Sequence, residues 1–436
     1  MSENIKMEIS AFLEKLSEQE ELYPYVYNRP SFDKDKDIVY YSGPYWDEQE
    51  VTAIIQNVLK GKWLASGESV HKFEVQFSKK FNHSKSLMVN SGSSANLILI
   101  GALKKYYGWQ DGDEIIVSVA GFPTTISPIL QHNLKPVFVD ISWDDLNWDL
   151  RQVADKIGPK TKAIFSSPVL GNPYNIDTVL DICKQNGLLF VSDNCDSLGS
   201  KWNGKYLTDY SVASSCSFYP AHHITTGEGG MVSSNEPEII RIARSMAWWG
   251  RDCYCVGKAN TFPNGTCGNR FDFWLDGYDS VVDHKYIFSN IGYNLKPLDL
   301  QGAVGLIQLE KFAEIHRKRR EHKLRIQKIL ENAIQGLHVV SELPNAETSW
   351  FGTPIICETK ELKTKLVKHL EVNRIQTRNY FAGNILLHPA YRELDDFKKY
   401  PQANQVLEKV FFLGCSPAYT EGVFEHISNV VNSFER

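Results

Sequence analysis

Between residues 86 and 193, short apolar runs alternate with amphipathic stretches, and this alternation leaves the chain few architectures. The runs at 86–90, 114–119, 136–141, 162–166 and 188–193 read as strands, with helical patterns between them. Strands that alternate with helices pair in parallel, because a parallel return needs a long crossover, and the sheet is then covered on both faces. An α/β fold is predicted. Two later runs, 212–219 and 230–234, are separated by a segment ending in Thr226-Gly227-Glu228-Gly229-Gly230, and they read as neighbouring strands across a glycine-rich turn.

The flanks differ from this centre. Residues 1–50 are polar and contain Pro24, Pro30 and Pro44, so they read as an N-terminal arm. A large domain over 51–297 follows, with an irregular, aromatic and Cys-rich insert at about 247–290. From Leu298 to Leu330, Val304, Ile307, Leu309, Phe312 and Ile315 recur at helical spacing and predict a long helix opening a smaller domain over 298–436. Its run Arg317-Lys318-Arg319-Arg320 reads as the solvated face.

Charge then narrows the function. The net charge is −5 and no basic tract is present, which argues against nucleic acid or an acidic membrane as partner. No stretch approaches the roughly 18 apolar residues of a membrane span, and the first residues lack a signal-peptide core, so a cytoplasmic location is expected. Eight cysteines are too few to scaffold 436 residues by disulfides.

Asn90-Ser91-Gly92-Ser93-Ser94-Ala95-Asn96-Leu97 follows a predicted strand and opens a helix, where backbone N–H groups and the helix dipole favour an anion. A phosphate fits this site; the alternative is an ordinary turn with Ser as N-cap. Asp193 closes another strand, and Ser217-Phe218-Tyr219-Pro220-Ala221-His222-His223 stands at the end of a third. In open α/β sheets ligands gather at such carboxyl ends.

Taken in order, Ser91-Gly92-Ser93-Ser94-Ala95, Gly121-Phe122-Pro123-Thr124-Thr125, Asp193-Asn194-Cys195-Asp196, Ser217 to His222, Gly227-Glu228-Gly229-Gly230 and Gly292-Tyr293-Asn294-Leu295 resemble the sugar aminotransferase family of pyridoxal phosphate enzymes. The resemblance spans about 40–435 and implies the aspartate aminotransferase fold (fold type I): a mainly parallel seven-stranded sheet plus a smaller C-terminal α+β domain. It further implies that Gly92, Ser93, Ser94 and Ser217 hold the cofactor phosphate and that Phe122 stacks on the pyridine ring. Asp193 would pair with the ring nitrogen, Asp196 would lie near the cofactor, and Asn294 would reach the phosphate of a neighbouring subunit in a homodimer. A carboxylate at the ring nitrogen keeps it protonated, so that the ring can act as an electron sink. Asp193 capping the next helix is the plainer alternative.

Five residues after Ser217, where that family carries the lysine that binds the cofactor covalently, this chain has His222. Histidine cannot make that bond, but an imidazole can move a proton. The exchange resembles the vitamin-B6-dependent sugar 3-dehydratases, which hold pyridoxamine phosphate noncovalently. Cys195, Cys253, Cys255 and Cys267 follow the pattern C-x57-C-x-C-x11-C, which resembles the CDP-4-keto-6-deoxyglucose 3-dehydrases with their 2Fe-2S cluster, although the last interval is longer here. Four thiolates also suit zinc. The resemblance implies loss of the 3-hydroxyl from a nucleotide-linked 4-keto-6-deoxyhexose in dideoxysugar and O-antigen biosynthesis. His222 would be the base, and an iron–sulfur flavin reductase would supply electrons. A redox-free dehydratase with structural zinc, or a sensor that keeps the pocket without chemistry, are the other readings.

Overall fold

The computed structural model describes residues 4–5, 7–9, 11–12, 15, 32–61, 63–253 and 267–435. After α1 (Glu48–Lys60) and α2 (Glu68–Lys80) the chain enters β1 (Lys85–Val89), α3 (Gly92–Tyr107), β2 (Glu114–Ser118), α4 (Pro123–Gln131), β3 (Lys135–Val139) and β4 (Thr161–Ser166). Then come α5 (Ile176–Asn186), β5 (Leu189–Asp193), β6 (Ala213–Ser217), β7 (Gly230–Ser234) and α6 (Pro237–Ala247). The seven strands form one sheet in the order β1-β7-β6-β5-β4-β2-β3. β7 runs antiparallel to both of its neighbours, and every other pairing is parallel. This is the mainly parallel seven-stranded sheet expected. The strands β6 and β7 are joined by residues 218–229, a loop that carries His222 rather than a tight turn.

The central strands are buried on both faces, as crossover helices require. β6, Ala-Ser-Ser-Cys-Ser, is buried throughout although three of its five residues are serines. It is tolerated because hydroxyls find partners: Ser215 donates to Asn96 and Asp193, and Ser217 accepts from Tyr219 N at 3.3 Å.

α7 (Asp299–Ala333) is a single helix of 35 residues, about 50 Å at 1.5 Å per residue. Its first half packs Leu309, Phe312 and Ile315 against Phe73, Phe77 and Phe218 below the large sheet. Its second half delivers Ile326 and Leu330 to a separate core. That core lies on a four-stranded antiparallel sheet of β8 (Leu337–Val339), β9 (Gly352–Cys357), β10 (Thr377–Asn379) and β11 (Val410–Gly414), ordered β8-β9-β11-β10. The helices α8 (Lys360–Val372) and α9 (Glu421–Asn432) cover it with Leu366, Leu370, Phe424 and Ile427.

The basic run on α7 does not form a solvated face. Arg317 is exposed and pairs with Glu321 at 2.6 Å, but Lys318 and Arg320 are half-buried, and Arg319 is only 1% exposed. A helix lying between two sheets has little free circumference, so its polar residues at this level meet protein instead of water. No described helix is long and apolar enough to cross a membrane.

Candidate active site

β1, β2, β5 and β6 point the same way, so their carboxyl ends share one edge of the sheet. A cavity of 710 Å³ lies there, closed from the other side by Phe351, Arg378, Phe381 and Phe412 of the C-terminal part. Ser91, Gly92, Ser93, Phe122, Asp193, Cys195, Asp196, Ser217 and His222 all line it. One cavity thus gathers residues that are up to 371 positions apart in the chain, from Tyr41 to Phe412.

The phosphate end is built by the start of α3. Ser91 is the N-cap, accepting from Ser94 N at 3.1 Å, and the helix opens on Gly92 at the cavity wall. A Cβ at Gly92 would stand 2.4 Å from Ser217 Cβ and 3.1 Å from Cys195 Sγ, so only glycine lets this turn touch β6. Ser94 is thereby drawn into the cap, its hydroxyl accepting from Ser91 Oγ at 2.9 Å, whereas Ser93 is exposed toward the cavity and donates to Thr124.

Asp193 ends β5 and is 2% exposed. Asn96 Nδ2 and Thr125 Oγ1 each donate to its Oδ2 at 2.8 Å, and Cys195 N donates to Oδ1 at 3.1 Å. These contacts satisfy a buried carboxylate and fix its direction, which answers the cost of taking it from water. Phe122, at the mouth, is 54% exposed and turns its ring edge-on to Phe381. It leaves an aromatic face open to a planar ligand.

His222 and its neighbour His223 separate cleanly. His223 is buried, its Nε2 bonded to Ser349 O at 2.8 Å, and burial and the charge of Arg319 hold its imidazole well below the usual range. His222 lines the cavity, with its ring 5.2 Å from that of Phe351. Its Nδ1 stands 3.3 Å from Asp196 Oδ1, close enough for charge attraction though not aligned as a hydrogen bond. Burial pushes the Asp196 carboxyl up, and the imidazole opposes that shift. Asp196 therefore faces the histidine, which refines its expected place beside the cofactor.

These groups fit pyridoxamine or pyridoxal phosphate. A helix N-terminus with hydroxyls suits the phosphate, the aromatic wall suits the ring, and a fixed carboxylate suits the ring nitrogen. Among the described residues no lysine lines the cavity. Asn294, by contrast, is exposed and lies outside its own chain's cavity, bridged to Trp248 and bonded by Lys296.

The cysteines come together less fully. Cys195 is at the cavity wall, where burial and then the Asp193 charge push its thiol up. Cys253 is buried and Cys267 exposed, while Cys255 lies outside the described residues. Among the described residues no three His, Cys, Asp or Glu side chains are grouped to hold a metal ion. The described cysteines thus do not by themselves make a ligand set for a cluster.

The sequence reading missed Asn96 and Thr125, whose side chains make the shortest hydrogen bonds to Asp193. Asn96 carried a signal, being a poor helix former inside an apolar stretch, where it needs a specific partner. Arg378, in a segment whose resemblance to the family suggested a place near the substrate but no role, stacks on Tyr41 at 4.1 Å and is the one arginine among the described residues lining the cavity.

The pattern of the DegT/DnrJ/EryC1/StrS aminotransferase family matches residues 46–435. A dTDP-4-dehydro-2,6-dideoxy-D-glucose 3-dehydratase of Saccharopolyspora spinosa is 36% identical over 405 residues, which cover 90% of this chain and 86% of that protein. The lipopolysaccharide biosynthesis protein RfbH of Salmonella typhimurium is 35% identical over 405 residues, 90% of each chain. The solved E. coli GDP-4-keto-6-deoxy-D-mannose-3-dehydratase with bound hydrated PLP superposes with a TM-score of 0.78 at 29% identity, covering 91% of this chain and 100% of that one. The α/β fold is that of the PLP-dependent sugar aminotransferases, and sugar 3-dehydratases are among the relatives. Matched over nearly its whole length, this chain is an enzyme that belongs to the DegT/DnrJ/EryC1/StrS aminotransferase family.

Proposed function

We propose that the protein removes the 3-hydroxyl from a nucleotide-linked 4-keto-6-deoxyhexose, using noncovalently held pyridoxamine phosphate. The observation that carries this reading is His222, where the family's covalent lysine is absent but the rest of the cofactor site is present. When bound, the cofactor supplies an amine for the 4-keto carbon and a ring that accepts an electron pair. The start of α3, Ser93 and Ser217 bind its phosphate, Phe122 covers the ring, and Asp193 holds the ring nitrogen. Because Nδ1 of His222 faces Asp196, Nε2 is the nitrogen left for the cavity. With the cofactor bound, Nε2 would serve as the base for the proton on the cofactor carbon next to the ring and would return a proton to the departing hydroxyl. Asp196 keeps the imidazole in that orientation. Arg378 meets the diphosphate of the substrate.

The substrate we assign is CDP-4-keto-6-deoxy-D-glucose, on the strength of the cysteine spacing. The names of the relatives carry dTDP and GDP instead, so competition among the three nucleotide forms is the direct assay. The same spacing supports a 2Fe-2S cluster on Cys195, Cys253, Cys255 and Cys267, served by an iron–sulfur flavin reductase. No step above passes through it.

His222→Asn tests the reading. The variant should bind pyridoxamine phosphate as the wild type does, yet lose product formation and solvent-hydrogen exchange at the cofactor methylene by about a hundredfold or more, the usual worth of a general base. Exchange at the wild-type rate would refute the assignment of His222.

A further inference from the structure

Arg319 of α7 is buried to 1% exposure, and none of the described residues forms an ion pair with it. Its guanidinium instead donates to backbone carbonyls on two separate segments. Nη2 reaches Ala221 O at 3.2 Å and His222 O at 3.1 Å; Nη1 reaches Trp350 O at 3.3 Å and Phe351 O at 3.1 Å. Ser42 adds a second donor to Ala221 O at 2.7 Å. Burying an arginine without a carboxylate is costly, and an apolar residue of similar volume would serve packing alone at least as well. The two segments so clamped carry the two rings that face each other at the cavity, those of His222 and Phe351.

We propose that Arg319 is a positioning residue for His222: its planar fork fixes the 221–222 and 350–351 peptides at one separation, and so sets the imidazole between Phe351 and Asp196. The inference rests on His222 being the base. A lysine has one nitrogen and no fork, so it cannot span both peptides with the same geometry. A base displaced by about 1 Å costs on the order of a hundredfold in rate while leaving substrate contacts made elsewhere intact.

Arg319→Lys is the first variant. Pyridoxamine phosphate affinity and substrate KM should stay within about threefold, while kcat and methylene exchange fall by about 10- to 100-fold. In protein without cofactor, amide hydrogen exchange across 219–224 should rise about tenfold, because two anchoring hydrogen bonds are lost. Introduced into His222→Asn, Arg319→Lys should cost no further exchange rate, since a residue that acts through the imidazole has nothing left to position. An additive loss in the double variant, or unchanged amide exchange at 219–224, overturns the proposal. If Arg319→Lys does not fold, Phe351→Leu loosens the other side of the imidazole and should lower kcat about tenfold only when His222 is present; a loss independent of His222 again overturns it. If His222→Asn alone leaves methylene exchange intact, the proposed function falls, and the amide measurement still decides whether Arg319 holds the loop.

Discussion

Asp193 is a carboxylate held by donors on several other elements: Asn96 on α3, Thr125 on α4, the turn at Cys195 and, at 3.5 Å, Ser215 of β6. Each partner is a neutral donor, so the charge is held by hydrogen bonds rather than by a salt bridge, and it stays available to a cationic ring nitrogen. His83 shows the opposite use of burial. It sits between α2 and β1 with its Nε2 unpartnered, and burial lowers its imidazole from 6.5 to about 4. Below pH 6.5 the unfolded chain takes up a proton that the folded one refuses. The neutral histidine's contribution is therefore complete above 6.5 and is lost as the pH falls toward 4. In urea titrations at pH 7 and 4.5, His83→Gln should narrow the difference in unfolding free energy between the two by about 2 kcal/mol. An unchanged difference would mean that His83 is protonated in the folded protein.

At the scale of elements, the start of α3 does the most. Ser91 caps it, Gly92 lets it lie on β6, and Gly230 of β7 brings the sheet so close that a Cβ there would stand 2.2 Å from Ser91 O. In Gly92→Ala the helix start must move away from Ser217 to avoid the 2.4 Å approach. Overpacking of this kind costs about 1–3 kcal/mol, so phosphate and pyridoxamine phosphate affinity should fall by about five- to a hundredfold with helix content unchanged. Isothermal titration with each ligand checks this, and equal affinity would place the phosphate elsewhere. The strands β1 to β5 were legible because apolar runs between helices leave little choice of pairing. β6 was read two residues too long at its carboxyl end, since Phe218 and Tyr219 extend its apolar pattern after the chain has already turned toward His222.

For the whole molecule, the open question of assembly has a physical pointer. Phe271, Phe273, Tyr286 and Ile291, all in the stretch that leads to Asn294, are exposed, Ile291 to 96%. If this exposed apolar segment packs on a second copy, Asn294 would reach the other subunit's phosphate. Mixing tagged wild type with Asn294→Ala should then give hybrid dimers in which one site of two is impaired; a fully active monomer would contradict the shared site. The proposed cluster is tested separately. Cys253→Ser should remove iron, sulfide and visible absorption together with 3-deoxy product, while methylene exchange survives because His222 and Asp193 lie on other elements. Zinc without iron in the wild type would favour the redox-free dehydratase, with its metal tied to folding.

The sequence by itself determined the α/β class, the cofactor motifs and the exchange of lysine for His222, because each is a local pattern: a strand run, a helix start, one residue at a fixed offset. Only the tertiary structure decided which groups act together. Asp196 faces His222, Asn96 and Thr125 hold Asp193, and Arg319 clamps two loops from a helix that begins beside the large sheet and ends in the small core. Nothing in the run Arg317-Lys318-Arg319-Arg320 distinguishes its third residue, since all four are cations on one helix. Their environments diverge only because packing against two sheets takes water from one position and leaves it at another. Burial is a property of the assembled fold, and it is burial that turns an ordinary surface charge into a structural clamp.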